Sequence, residues 1–175
     1  MAEQLRDFIT RLQKMNANFD FIRKRSVAVG WVDGNKKHND HKAGKKHRNG
    51  NQPTLAQIAR VLNYGTAGQF KPDGSYQQRI PARPFMEVLR GEYGDYLQKV
   101  AETMYRKILS GTANSGDFFK RFGTSAKGAL QRAMQRSDLY KPNAPSTIAR
   151  KGSSRPLIDT GTLIRSVDYE VRMRK

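Results

Sequence analysis

Between Phe85 and Met134 apolar residues recur at helical spacing in two runs, and this repetition restricts the fold more than any other pattern in the chain. The first run places Phe85, Val88, Leu89, Tyr96, Leu97, Val100, Met104 and Ile108 on one face. The second places Phe118, Phe119, Phe122, Ala126, Leu130 and Met134 on one face. Between them lies "SGTANSG", a connection of the length that joins antiparallel helices. The spacing therefore predicts a helical hairpin closed through both stripes. The aromatic positions read as core packing rather than a base-stacking platform. Gly91 and Gly94 fall inside the first run, and each costs roughly 1 kcal/mol relative to Ala in a helix, so a kink or break is expected there.

The remaining elements are shorter. "MAEQLRDFITRLQKM" sets Leu5, Phe8, Ile9, Leu12 and Met15 at three- and four-residue steps, a helix with one apolar stripe. It is amphipathic rather than a charged head followed by an apolar block, so no secretory signal is expected. In "SVAVGWV" Val27, Val29 and Trp31 alternate with smaller residues, as a strand requires. At the other end Val167, Tyr169, Val171 and Met173 alternate with Asp168, Glu170, Arg172 and Arg174, a half-buried strand whose natural partner is the first one. Thr54 is placed to cap a short helix bearing Leu55, Ile58, Ala59 and Leu62, which Gly65 ends. "AGQFKPDGSYQQ" reads as turn chemistry around Pro72-Asp73-Gly74. "RIPARPF" forces an extended entry, with Pro84 suited to the first turn of the long helix. Residues 137–155 are polar and rich in Pro, Ser and Gly, and read as an extended loop. There is no internal repeat. The expectation is one α+β domain over 1–175, with a small antiparallel sheet packed on a long helical hairpin, shorter helices and a long basic loop.

That loop is residues 35–52, "NKKHNDHKAGKKHRNGNQ", in which Ala43 is the only apolar residue. It cannot contribute to a core. Lys36, Lys37, Lys42, Lys45, Lys46 and Arg48 give it six cations, and three readings stay open. The lysines can neutralise phosphate without sequence specificity. His38, Asp40, His41 and His47 have donor types that suit zinc, although a lysine-rich setting opposes a dication. The third reading is a solvated loop that becomes ordered against a partner. Over the whole chain 33 Lys and Arg face 15 acidic residues, a formal charge of +18. A surplus of that size calls for something anionic nearby, whether nucleic acid, an acidic membrane or an acidic protein.

Catalytic constellations are scarce. There is no cysteine, which removes thiol nucleophiles, disulfides and thiolate metal sites. No apolar run approaches a membrane span. No phosphate-binding or dinucleotide-binding glycine motif occurs. "PLIDTGTLIRSV" does match the loop that carries the carboxylate in aspartic proteases, which work by sharing a proton between two such groups. In those enzymes a flap and a bracing segment follow the catalytic loop, whereas here fourteen residues follow Gly161 and read as one strand. Asp159 is therefore read as a helix cap, Gly161 as permitting a tight approach, and Leu163 and Val167 as one apolar face. No enzyme, catalytic residue, metal or cofactor is expected.

Three segments together carry a resemblance: "IARVLNYGT" (Ile58–Thr66), "RIPARPF" (Arg79–Phe85) and "STIARKGSSRPLIDTGTLIRSVDYEV" (Ser146–Val171). In this order the set resembles the neck or tail-completion proteins of tailed bacteriophages, also described as virion morphogenesis or head–tail joining proteins, over most of the chain from Val27 onward. The residues concerned are Tyr64, Gly65, Arg79, Pro81, Arg83, Pro84, Phe85, Pro156, Leu157, Asp159 and Gly161. The resemblance implies a structural virion protein that forms a ring of identical copies at the head–tail joint, after assembly in the host cytoplasm. It implies contacts with head-side connector or stopper proteins and with tail-tube or tail-terminator proteins. Genomic double-stranded DNA would pass through the ring, with no membrane and no cofactor involved. The alternative expectation, from charge, is a non-specific nucleic-acid-binding protein. Within the neck reading, a loop as basic as 35–52 is unexpected for a channel that lets DNA slide, and it would instead grip DNA at rest or dock on an acidic neighbour.

Overall fold

The computed structural model describes residues 2–32, 53–70, 72, 76–78, 80–158 and 161–174. In chain order these form helix α1 (Ala2–Arg23), strand β1 (Arg25–Gly30), helix α2 (Leu55–Tyr64) and strands β2 (Gly68–Phe70) and β3 (Tyr76–Gln78). Helices α3 (Phe85–Leu109) and α4 (Ser115–Gln135) follow. After them come a 3-10 turn (Ser137–Leu139), helices α5 (Pro145–Lys151) and α6 (Thr162–Arg165), and strand β4 (Asp168–Met173). The fold is a small α+β one, as the periodicities predict.

The hairpin of α3 and α4 is its frame. Asn114 closes the turn with a capping box: Oδ1 accepts from the Asp117 amide at 3.1 Å, and Asp117 Oδ2 accepts from the Asn114 amide at 3.0 Å. No break occurs at Gly91 or Gly94, since α3 runs through both. Both glycines border open space, while Leu89, Met104 and Ile108 are buried along the opposite face. Packing of that stripe keeps the helix continuous through two poor helix formers. The paired aromatic expectation also holds: Phe118 and Phe119 are 6% and 5% exposed, with rings at 5.3 Å edge to face.

The two predicted strands pair antiparallel, with Val27 opposite Val171 and Val29 opposite Tyr169. This ribbon lies on α4. A Cβ built at Gly123 would meet the Tyr169 ring at 2.2 Å, so only glycine lets the strand come this close. Trp31 stands just past β1, donates from Nε1 to the Leu163 carbonyl at 2.9 Å, and meets Phe85 edge to face. The main apolar cluster joins α2, α3, α4 and α6, with Phe85, Leu130, Met134 and Val167 fully buried. Burial of such side chains stabilises by roughly 1.5–3 kcal/mol each. A second cluster gathers Ile22, Met104, Ile108, Phe118 and Phe119 near the hairpin turn.

Three further expectations are corrected. "AGQFKPDGSYQQ" is not turn throughout: it contains a hairpin in which Gly68 faces Gln78 and Phe70 faces Tyr76. Three-residue strands are too short to show an alternation. Residues 137–155 are not one loop, since they include the 3-10 turn and α5. Pro84 occupies the cap position of α3 rather than its first turn. The stripe of α1 exists as a periodicity, yet Leu5, Phe8, Ile9 and Leu12 remain 59%, 58%, 45% and 38% exposed. Only the end of α1 packs, through Ile22 and a Phe19–Tyr105 stack, with Asn18 Oδ1 accepting from the Ser115 amide at 2.9 Å.

Candidate functional site

The three segments that carry the sequence resemblance meet in one joint. Helix α2 ends at Gly65, whose φ of 75° and ψ of −176° lie where essentially only glycine is found. A Cβ there would come within 2.8 Å of the Ala82 amide nitrogen and 2.9 Å of the Ile80 carbonyl oxygen. Backbone therefore lies directly on backbone. The "IPARP" strap, residues 80–84, is laced to α2 through Thr66 N–H to Ile80 O (3.0 Å), Ile80 N–H to Thr66 Oγ1 (3.0 Å) and Arg83 N–H to Leu62 O (2.9 Å). Asn63, itself buried, accepts from the Met86 amide at 3.0 Å and so caps the open start of α3, where proline supplies no side-chain cap.

Arg83 carries the joint to the third segment. Its side chain is 6% exposed; Nη2 donates to Asn143 Oδ1 at 3.0 Å and Nε to the Lys141 carbonyl at 3.4 Å. These partners are neutral, and burial lowers the guanidinium below its ordinary pKa. Asn143 passes the connection on, since Nδ2 donates to the carbonyls of Ser154 (3.3 Å) and Arg155 (3.1 Å). Pro156 and Leu157 follow directly, both buried, with Leu157 at φ 60°. A leucine in that region costs about 1–2 kcal/mol, offset by its place in the main cluster. Donors and acceptors here are backbone groups, side-chain amides, the Thr66 hydroxyl and one guanidinium, an arrangement that fixes three loops.

The predicted residues divide as follows. Gly65, Pro81, Arg83, Phe85, Pro156 and Leu157 belong to the joint or the core beneath it. Tyr64 is 66% exposed and Pro84 is exposed, so both face outward. Gly161 begins α6 in the left-handed region, with no side-chain cap bond. Asp159, Arg79, the cations Lys36, Lys37, Lys42, Lys45, Lys46 and Arg48, and the group His38, Asp40, His41 and His47 lie outside the described residues. Among the described residues no three His, Asp or Glu side chains converge as metal ligands, and no helix is long and apolar enough to cross a membrane.

Sequence reasoning missed two features. One is Asn143, a lone amide sixty residues from Arg83 that no local pattern marks. The other is a basic groove of about 660 Å³ between α3 and α4, lined by Lys99, Thr103 and Lys107 from one helix and Lys120, Arg121 and Thr124 from the other. Spacings of four along α3 hold its signal, once the pairing of the hairpin is known. Comparison with protein-family models, with curated proteins and with solved structures finds no match to this chain.

Proposed function

We propose that the chain is a structural virion protein of a tailed phage, non-enzymatic, forming a ring at the head–tail joint through which the genome passes. The observation that carries this reading is the joint itself. Three segments that together resemble neck and tail-completion proteins, spread over more than a hundred residues, lock to one another through Gly65, Arg83 and Asn143. That favours a shared architectural motif over a coincidence of short strings. The uncovered stripe of α1 supports self-association, because a surface helix normally buries such a stripe. In this reading the ring's other neighbours are connector or stopper proteins toward the head and tube or terminator proteins toward the tail.

The test has two parts. Purified chain is expected to give closed rings by electron microscopy and a native mass that is a multiple of 19.9 kDa. Virions assembled without it are expected to lose their tails or leak DNA. Firmly joined, infectious tails in its absence would overturn the proposal.

A further inference from the structure

The groove between α3 and α4 holds charge that the fold does not use. Lys99, Lys107, Lys120 and Arg121 line it, and Arg106 adjoins it along α3 beside Lys99 and Lys107. All five side chains are exposed, and none is in an ion pair among the described residues. Two carboxylates oppose this charge: Asp117, which lines the groove and also closes the capping box at the start of α4, and Glu102 beside Arg106, which accepts from Gln98 Nε2 at 2.9 Å. Five cations against two carboxylates leave a local surplus, concentrated in a concave feature where field lines focus. At the head of the groove the Tyr96 hydroxyl is held below the ordinary tyrosine range chiefly by a hydrogen bond with Ser125, with smaller contributions from Arg132 and Arg121.

We propose that this groove docks the phosphate backbone of a DNA duplex, with Lys99 and Lys107 on one wall, Lys120 and Arg121 on the other, and Arg106 beside the α3 wall. Lys99 and Lys107 lie about 12 Å apart along the axis of α3. A duplex presents one charge per ~1.7 Å, so a single wall meets several phosphates at once. Single strands fit less well, because they are held by rows of stacking aromatics and, among the described residues, Tyr96 is the only aromatic side chain lining the groove. A flat anionic membrane does not enter a concave site, and the walls lack the buried aromatic anchors of a protein interface. Thr103 and Thr124 line the same groove with hydroxyl donors that suit phosphate oxygens. The inference does not depend on the ring: it concerns one face of a single chain.

Binding of the full chain to a fluorescent duplex of about 30 base pairs, titrated between about 50 and 200 mM salt, tests it. Five phosphate contacts correspond to a slope of about −4.5 in log affinity against log salt. The variant Lys99→Glu/Lys120→Glu/Arg121→Glu, all at exposed positions, is expected to lose at least tenfold in duplex affinity. Its slope should shrink by about 3 while its circular dichroism is unchanged. A second variant reverses Lys36, Lys37, Lys42, Lys45, Lys46 and Arg48 in the basic segment, and is expected to retain a slope attributable to the groove. If the segment variant abolishes binding while the groove variant keeps wild-type affinity and slope, the groove is not the site. Equal affinity of the wild-type chain for a single strand and the duplex would overturn the choice of ligand. Loss of rings without loss of duplex binding would count against the ring alone.

Discussion

Replacing Gly65 by alanine probes the joint at its tightest point. Two costs add. Alanine at φ 75°, ψ −176° occupies a region essentially reserved for glycine, at about 1–3 kcal/mol. Its methyl group would also stand 2.8 Å from the Ala82 nitrogen and 2.9 Å from the Ile80 oxygen. Both are backbone atoms, tied down by the hydrogen bonds that lace the strap to α2, so they cannot rotate aside. Overpacking of that kind costs a further 1–3 kcal/mol or so, giving a total near 4 kcal/mol. For a chain of 175 residues the unfolding entropy is roughly 0.4 kcal/mol/K, so the melting midpoint should fall by about 10 °C. Gly152→Ala is the control: that glycine is also at positive φ (71°), but a Cβ there meets nothing within 4 Å. Its loss should be the left-handed cost alone, about 1 kcal/mol. Urea and thermal unfolding followed by circular dichroism measure both. Equal losses for the two variants would refute the argument that the strap presses on Gly65.

Three further outcomes follow from the packing. Gly123→Ala should destabilise by about 1–2 kcal/mol despite the gain in helix propensity, because the added methyl overlaps the body of the Tyr169 ring. In a Tyr169→Ala background the same change should become neutral or stabilising, which a double-mutant cycle in urea reads directly. Asn143→Leu strips Arg83 of its side-chain acceptor and leaves the Ser154 and Arg155 carbonyls without a donor, at about 2–3 kcal/mol. A loss under about 0.5 kcal/mol would show that the amide does not brace the joint. Tyr140 donates to the Ala133 carbonyl at 2.6 Å, and burial pushes its pKa up to about 12. Its neutral form is thus favoured in the fold, so below about pH 10 this group adds no pH dependence. Between about pH 10 and 12 the unfolded chain ionises first and stability falls. That part of the alkaline fall should vanish in Tyr140→Phe, measured as the difference between the two urea midpoints at each pH.

What the sequence reveals is set by the range of each interaction. The cap at Thr54 is a local matter: its Oγ1 accepts from the Gln57 amide at 3.2 Å, and four residues contain the whole signal. Pairing of β1 with β4 is long-range, yet both strands carry the same alternation and, among the described residues, no third strand of similar length competes. Helix α5 was hidden by composition, since "APSTIARKGSS" reads as loop when its residues are counted. Read by position it is a helix, with Pro145 at its first turn and Gly152 in the left-handed region after it. The joint is hardest to see. Gly65, Arg83 and Asn143 are each ordinary alone, and their roles exist only once α2, the strap and the segment before Pro156 have met.

The two apolar clusters differ in what depends on them. The main one is shared by α2, α3, α4, α6 and the segment at Leu157, so losing any member opens the rest. The second holds α1 through Ile22, Phe19, the Phe21–Phe119 ring contact and the Asn18 bond to Ser115, all near its end. Residues 2–14 are exposed throughout, and an isolated helix of that length is marginal in water. In the free chain, amide exchange over these residues should therefore be fast while the α3–α4 hairpin stays protected. Covering Leu5, Phe8, Ile9 and Leu12 removes roughly 100 Å² from each, worth about 10 kcal/mol per copy before the costs of association. Docking against a neighbouring copy should then slow exchange in 2–14 by orders of magnitude without changing the hairpin. A Leu5→Ser/Phe8→Ser/Ile9→Ser/Leu12→Ser variant should stay monomeric with its thermal midpoint little altered, because the main cluster does not include α1. If that variant unfolds at a much lower temperature while still monomeric, the stripe supports the single chain and the argument for a partner fails.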